Sequence, residues 1–249
     1  MRRVLLVPAA GRGSRLRADL PKALVPVNGR PMIDHLVTLY RDVVEGIVLV
    51  VHPAQRERFA AHARQWSLPA DIVVQETPTG MLDAVVCGLP AVAAADADQV
   101  IVTWCDQIGI TAGTVARLLA PEAAVDVVMP TMLTTPPYVH YSRDASGRIS
   151  GVRQRREGDE MPAEGESDIG LFRLSRAAYA QWLPAYLASS ESAVVGAASG
   201  ERNFLPFVPW AAARVRVATF AAAAAIEALG VNTPEDLAHM EAHLRHAHP

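Results

Sequence analysis

Apolar residues follow two rhythms in the first half of the chain. Residues 4–7, 47–51, 70–75 and 100–103 are short runs of mainly apolar, β-branched-rich sequence bounded by turn residues, the pattern of strands buried on both faces. Between them the spacing changes to that of helices. Met32, Ile33, Leu36, Val37, Leu39 and Tyr40 recur at helical intervals within residues 31–44, which Gly46 ends. A second helix over 54–66 exposes Arg56, Glu57, Arg58 and Arg64, and a third runs from Gly80 to about Ala95. This β-α-β-α-β order predicts a parallel sheet with right-handed crossovers.

The second half is less regular. A strand over 125–129 is followed by Pro136, Pro137 and Tyr138, then two short extended runs, 139–142 and 148–152, around the turn Asp144, Ala145, Ser146, Gly147. These predict an antiparallel excursion. Residues 155–166 are densely charged, with Gly and Pro, and read as a mobile surface loop or lid. Further on come a strand over 168–174, a helix over 177–188, a small-residue loop over 189–200 with the composition of a disordered segment, a helix opening at 201–206 and running to Ala213, and a strand over 214–220. An Ala-rich connection over 221–226 leads to Thr233, Pro234, Glu235 and Asp236, which spell a helix start: a hydroxyl cap, Pro at the first helical position and two carboxylates in the first turn. The expectation is one α/β domain over 1–249, in three parts, about 1–125, about 126–229 and 230–249.

Composition narrows the partners. The chain is 51% hydrophobic yet has no uninterrupted apolar span of membrane length, and the first apolar run breaks too early for an export signal. Two cysteines, Cys87 and Cys105, cannot form a disulfide framework and suit a reducing cytoplasm. Net charge is −3, so no overall cationic field attracts nucleic acid or anionic lipid. Positive charge is concentrated at the start instead, in Arg2, Arg3, Arg12, Arg15, Arg17, Lys22 and Arg30, and Lys22 is the sole lysine.

That cluster sits in the stretch around which the chain is organised, VPAAGRGSRLRADLPKALVPVNGRP over 7–31. Ala9, Ala10, Gly11 and Gly13 leave the backbone N–H groups open to an anion, and Ser14, Arg15 and Lys22 add donors and charge, a combination that suits a polyphosphate. It is not a Walker A loop, and Leu16 stands where a GxGxxG fingerprint needs its third Gly. Two more features point to a site. Asp106 follows the 100–103 strand, at the end of a parallel strand where open α/β sheets bind ligands. Asn232 precedes the last helix, whose cap already explains Thr233 but not Asn232. His239 and His243 are four apart on that helix, but Glu241 is misplaced for an HExxH site, so they read as a solvated face.

AAGRGSRL followed by LPKALVPVNGRPMIDH resembles the signature of the sugar-1-phosphate nucleotidylyltransferases, such as the N-acetylglucosamine-1-phosphate uridylyltransferases and glucose-1-phosphate thymidylyltransferases. The resemblance extends to QETPTG at 75–80, DASGRISGV at 144–152 and GVNTPEDL at 230–237. It implies a Rossmann-like, GT-A-like fold and a Mg²⁺-dependent transfer from a nucleoside triphosphate, with UTP, dTTP or CTP favoured, to a sugar 1-phosphate. Ala9, Ala10, Gly11, Gly13, Ser14, Arg15 and Lys22 would then hold the triphosphate, with Arg15, Lys22 and Asp106 as the catalytic set. Gln75 and Gly80 would meet the base, with Thr79 and Asp83 weaker candidates. Asp106 and Asn232 would ligate Mg²⁺, and Tyr138, Gln154, Asp168 and Asn203 would line the acceptor site. Departures concentrate at the acceptor end. Gln154 stands where relatives often have Glu, Asp168, Ile169, Gly170 replaces N-x-G, and Trp104, Cys105 replaces an aromatic-Gly pair before Asp106. The competing expectations are a cytidylyltransferase acting on an alcohol phosphate, such as methylerythritol phosphate or phosphocholine, and a non-catalytic nucleotide-sugar sensor on the same fold.

Overall fold

Strand β1 (Arg3–Pro8) shows why the apolar runs become sheet: Leu5 and Val7 point into one hydrophobic cluster, Val4 and Leu6 into another on the opposite face, and none of the four is more than 2% exposed. The computed structural model describes residues 1–11, 16, 20–120 and 125–247. After β1 come the hairpin β2 (Pro26–Val27) and β3 (Arg30–Pro31), then α1 (Met32–Tyr40), β4 (Gly46–Val51), α2 (Arg56–Ala63), β5 (Ala70–Val74), α3 (Met81–Ala94), β6 (Gln99–Thr103) and α4 (Ala112–Leu118). This is the predicted alternation. β1 pairs in parallel with β4 and β6, and β4 pairs in parallel with β5.

Beyond β6 the chain builds the other end of the same sheet from β7 (Val127–Thr134), β10 (Gly165–Asp168), β11 (Leu171–Ser175) and β12 (Val217–Ala221), while β8 (Val139–Arg143) and β9 (Ile149–Gln154) form the separate antiparallel pair that the turn predicted. The order is β10-β7-β11-β6-β1-β4-β5, with β12 on β7. β11 is antiparallel to both β6 and β7, and β12 is parallel to β7, so six strands run one way and β10 and β11 run the other. The sheet is therefore mostly parallel, flanked by helices. One face buries Ile33, Leu36 and Phe59 with Met240 of α7 (Pro234–Ala247), and the other buries Val85, Phe172, Tyr186 and Phe207. Side chains of this size each contribute about 1.5–3 kcal/mol when fully buried, which is why the unbroken apolar runs dominate the fold. Among the described residues, no helix is long and apolar enough to cross a membrane.

Four sequence expectations change. The strand expected over 168–174 is two strands, because Gly170 takes φ +71° and turns the chain between β10 and β11. The helix over 177–188 divides into widened helical turns at Ala178–Trp182 and α5 (Leu183–Leu187). The helix expected from 201 begins later, as α6 (Phe207–Ala212). The fourth difference concerns the two segments read as mobile. Glu157 is only 8% exposed, and its carboxylate accepts from Ser199 N and Ala198 N, from Ser199 Oγ at 2.8 Å and from Asn203 Nδ2 at 3.1 Å. Arg156 adds an ion pair with Glu201 at 2.9 Å. The charged 155–166 stretch and the small-residue 189–200 stretch are thus tied to each other, and residues 165 and 166 already belong to β10. Polar composition hid a buried carboxylate that finds its donors 41–46 residues away.

Candidate active site

The parallel strands aim their C-terminal ends at one side of the sheet, so the segments following β1, β5 and β6 gather there. After β1, Ala9 N donates to Val50 O at 2.7 Å, Ala10 is buried and Gly11 is exposed, with open space where a Cβ would stand. Gly13, Ser14 and Arg15 lie outside the described residues, as do Arg12 and Arg17.

Lys22 opens a tight turn, Lys22–Leu24, whose Ala23 and Leu24 are buried, so the backbone beneath the lysine is fixed by the core. Its ammonium reaches two distant oxygens. Nζ donates to Asp106 Oδ2 in a short ion pair and to Asn232 Oδ1 at 2.8 Å. The Lys22 and Asp106 side chains are 15% and 12% exposed. Asp106 stands just past β6, and its carbonyl accepts from Val231 N at 3.2 Å, which lays the 230–232 segment alongside it. Asn232 is set from both sides. Its N–H donates to Asp236 Oδ2 at 2.9 Å in the first turn of α7, and its Nδ2 donates to Gly230 O at 3.0 Å, leaving Oδ1 to face the cation. Thr233 caps α7 by accepting from Asp236 N at 3.1 Å, as the sequence predicted.

A carboxylate and an amide oxygen, 126 positions apart in sequence, therefore converge on one positive charge. They are hard oxygen donors of the kind that Mg²⁺ takes, and the ammonium between them shows that a cation fits. Among the described residues, no group of three or more His, Cys, Asp or Glu side chains forms a closed metal cage. Two protein oxygens leave most of a coordination sphere to phosphate and water, the usual arrangement for Mg²⁺.

The base-side candidates stand together at the end of β5. Gln75 is 6% exposed and its Nε2 donates to Gly80 O at 3.4 Å, while Thr79 is exposed. Gly80 has φ +134° and lies against the backbone of Arg202, whose N–H donates to Thr79 O at 2.8 Å and whose carbonyl accepts from Leu82 N at 3.0 Å. Asp83 is engaged by Arg202 Nη1 at 2.6 Å. The need for Gly here thus has a packing cause that sequence reasoning lacked.

Acceptor-side candidates are spread from the residue before β8 to the segment before α6. Tyr138 is 53% exposed, and its carbonyl accepts from Arg155 N. Gln154 ends β9 with its N–H on Asp159 Oδ2 at 2.7 Å, and Asn203 is turned onto Glu157. Asp168 ends β10, with Oδ1 accepting from Gly170 N at 2.7 Å. The residue is half-buried, but Oδ2 is shut off from water and makes no hydrogen bond of good geometry; the buried Tyr141 hydroxyl lies beside it and is likewise unsatisfied. Burial pushes the Asp168 carboxyl up to about 6, against lowering by the Gly170 N–H and Tyr141. The consequence has a definite sign. An unfolded Asp releases its proton near 3.8 and the folded one near 6, so stability falls as pH rises across that window, and the full cost applies above it. Asp168→Asn keeps the acceptor for Gly170 and gives Tyr141 a donor. It should raise Tm at pH 8 by several degrees, on the order of 2 kcal/mol, and the gain should vanish below about pH 4. Thermal melts across pH decide it, and an equal gain at pH 4 and pH 8 would refute the ionisation argument.

Sequence reasoning did not find Glu157, Arg202 or Glu227. None of the three stands in a motif, and each is engaged by partners from remote segments. The two cysteines are unpaired thiols, and burial lifts Cys105 to about 12, so it is an inert core group beside the site.

The family model for the MobA-like NTP transferase domain matches residues 5–166. Among similar proteins, the "Bifunctional protein GlmU" of Acidithiobacillus ferrooxidans is 32% identical over 248 residues, covering 95% of this chain and 50% of the relative. That of Mycolicibacterium paratuberculosis is 33% identical over 183 residues, 70% of this chain and 37% of the relative, and that of Stenotrophomonas maltophilia is 31% identical over 244 residues, 95% and 50%. The chain spans about half the length, or less, of these relatives. With the matched region running from β1 through β6 and Asp106 into β10, the chain belongs to the MobA-like NTP transferase domain family, and with it to the nucleotidyltransferases.

Proposed function

We propose that the chain transfers a nucleotidyl group from a nucleoside triphosphate, UTP, dTTP or CTP, to a sugar 1-phosphate with release of pyrophosphate, using Mg²⁺. The observation that carries this reading is the meeting of Asp106 Oδ2 and Asn232 Oδ1 at the Lys22 ammonium. A phosphate oxygen of the acceptor attacks the α-phosphorus, the bond from that phosphorus to the bridging oxygen breaks, and pyrophosphate leaves with the electron pair. The attacking oxygen is already anionic, so no general base is required, and the rate depends on alignment and charge neutralisation.

Lys22 moves from the oxygen pair to the triphosphate and, with Arg15, neutralises the departing pyrophosphate. Ala9, Ala10, Gly11, Gly13 and Ser14 orient the phosphates, while Gln75, Thr79 and Gly80 border the base and Tyr138, Gln154, Asp168 and Asn203 the acceptor. Mg²⁺, held by Asp106 and Asn232, supplies charge neutralisation at the reacting phosphates. We read the chain as one unit whose first half binds the nucleotide and whose second binds the acceptor, and its unpaired thiols suit the cytoplasm.

The test is pyrophosphate release measured for each nucleoside triphosphate against sugar 1-phosphates, phosphocholine and methylerythritol phosphate. Turnover with a sugar 1-phosphate is expected. Turnover confined to an alcohol phosphate would replace the sugar reading, and nucleotide binding with no turnover on any acceptor would replace the enzyme by a sensor.

A further inference from the structure

Glu227 has no exposure at all, yet it is a carboxylate in an Ala-rich connection. Its partners explain its burial. Oε1 accepts from Thr111 N at 2.9 Å and Thr111 Oγ1 at 2.5 Å; Oε2 accepts from Thr114 Oγ1 at 2.9 Å, Ala223 N at 2.8 Å and Ala224 N at 3.4 Å. Five donors replace the water that the carboxylate lost. They come from two segments, the start of α4 five residues after Asp106, and the connection that leads through Gly230 to Asn232.

These two segments meet at several points between Asp106 and Thr114. A Cβ on Gly109 would stand 2.7 Å from Ile226 O, and one on Gly230 would stand 3.2 Å from both Asp106 Oδ2 and Asn232 Nδ2. At the site end they are joined by the Val231 N–H to the Asp106 carbonyl. At the far end they are joined by Glu227. Slippage between them would separate the two oxygens that meet at Lys22.

We propose that Glu227 is a positioning residue for the Asp106 and Asn232 oxygens: it touches neither substrate nor cation, and fixes the spacing at which both reach one ion. The proposal rests on the reading that this pair holds a divalent cation. Ordinary core packing would need no charge here. An apolar side chain would fill the space, but it would leave the N–H groups of Thr111 and Ala223 without acceptors. A carboxylate alone accepts at both oxygens, whereas a Gln, however its amide is turned, sets an NH₂ against one of those N–H groups.

The probe is Mn²⁺ alone, titrated into the full chain and followed by the EPR signal of the free ion, with circular dichroism as the check on folding. Glu227→Gln should weaken Mn²⁺ binding by about 10–100-fold, the range for outer-shell changes at metal sites. Thr114→Val keeps the volume and removes one of the five bonds. It should weaken Mn²⁺ binding by a smaller factor in the same direction, and it stands in if Glu227→Gln does not fold. Asp106→Ala is measured in parallel. If it abolishes Mn²⁺ binding while folded Glu227→Gln, or Thr114→Val in its place, binds within twofold of the parent, the positioning role is overturned and the metal pair survives. If Asp106→Ala binds Mn²⁺ as the parent does, the metal reading falls and this inference falls with it.

Discussion

Asp106→Ala is expected to lower pyrophosphate release by about 10³-fold, the order seen when one preorganised electrostatic contact to a transition state is removed, while the fold stays intact. The side chain lies just beyond β6 and is 12% exposed, so its removal opens no hole in the hydrophobic clusters. Its backbone contact, the carbonyl accepting from Val231 N, is kept. What is lost is the carboxylate that meets Lys22 and, with Asn232, forms the oxygen pair. Lys22→Met is the informative companion because it keeps the aliphatic stem and removes only the charge. On the proposed roles it raises KM for the triphosphate and slows the loss of pyrophosphate, whereas Asp106→Ala acts through the metal. The two variants should therefore differ in their Mg²⁺ dependence: excess Mg²⁺ partly restores turnover in Asp106→Ala if the site still loads weakly, and does nothing for Lys22→Met. Turnover of Asp106→Ala equal to that of the parent would end the assignment of the site.

How much of this was legible in the sequence depends on how far each interaction reaches. β1, α1, β4, α2, β5, α3 and β6 were readable because their signal is local: an apolar period of 2 or 3.6 positions, punctuated by Gly or Pro. The cap of α7 was readable for the same reason, since Thr233 and Asp236 are three positions apart. Asp106, Asn232 and Lys22 were nameable from short motifs, although their mutual geometry spans 84 to 210 positions and no local pattern encodes it. Glu157 and Glu227 were not nameable. A charged residue ordinarily reads as solvated; the donors to Glu157 are 41 positions away or more, and those to Glu227 combine the nearby Ala223 and Ala224 N–H groups with Thr111 and Thr114, 113 positions away or more. The bend at Gly170 was missed because a single Gly in an apolar run signals a weak strand as readily as a break, and its φ is fixed by the packing of Trp104 and Gln107, where a Cβ would come within 2.5 Å and 2.9 Å of side-chain carbons.

Gly80→Ala should be among the most destabilising single substitutions in this chain, and the cause is backbone rather than side chain. Gly80 holds φ +134°, a conformation that L residues rarely adopt, at a cost on the order of 1–3 kcal/mol. An added Cβ would also collide with the Arg202 carbonyl oxygen and stand 2.5 Å from Arg202 N and 2.9 Å from Arg202 C. None of those atoms is the tip of a flexible side chain, so relief requires the 201–203 backbone to move away. That displacement breaks the two hydrogen bonds that clamp Arg202 between Thr79 and Leu82, and strains the Arg202–Asp83 ion pair and the Asn203–Glu157 contact. Overpacking of this kind adds about 1–3 kcal/mol, for a sum of roughly 2–6 kcal/mol, or a Tm lowered by about 4–24 °C at this chain length. Gly147→Ala is the control. Its φ is +82° but nothing lies within 4 Å of a Cβ there, so it reports backbone strain without collision. If Gly80→Ala melts within a degree of Gly147→Ala, the packing of the 75–80 turn on Arg202 is not what fixes glycine at this position. If it melts far lower and the folded fraction also shows a raised KM for the triphosphate, the same close approach that excludes a side chain also shapes the wall beside Gln75, which ties base recognition to the clasp formed by Arg202, Asn203 and Glu157.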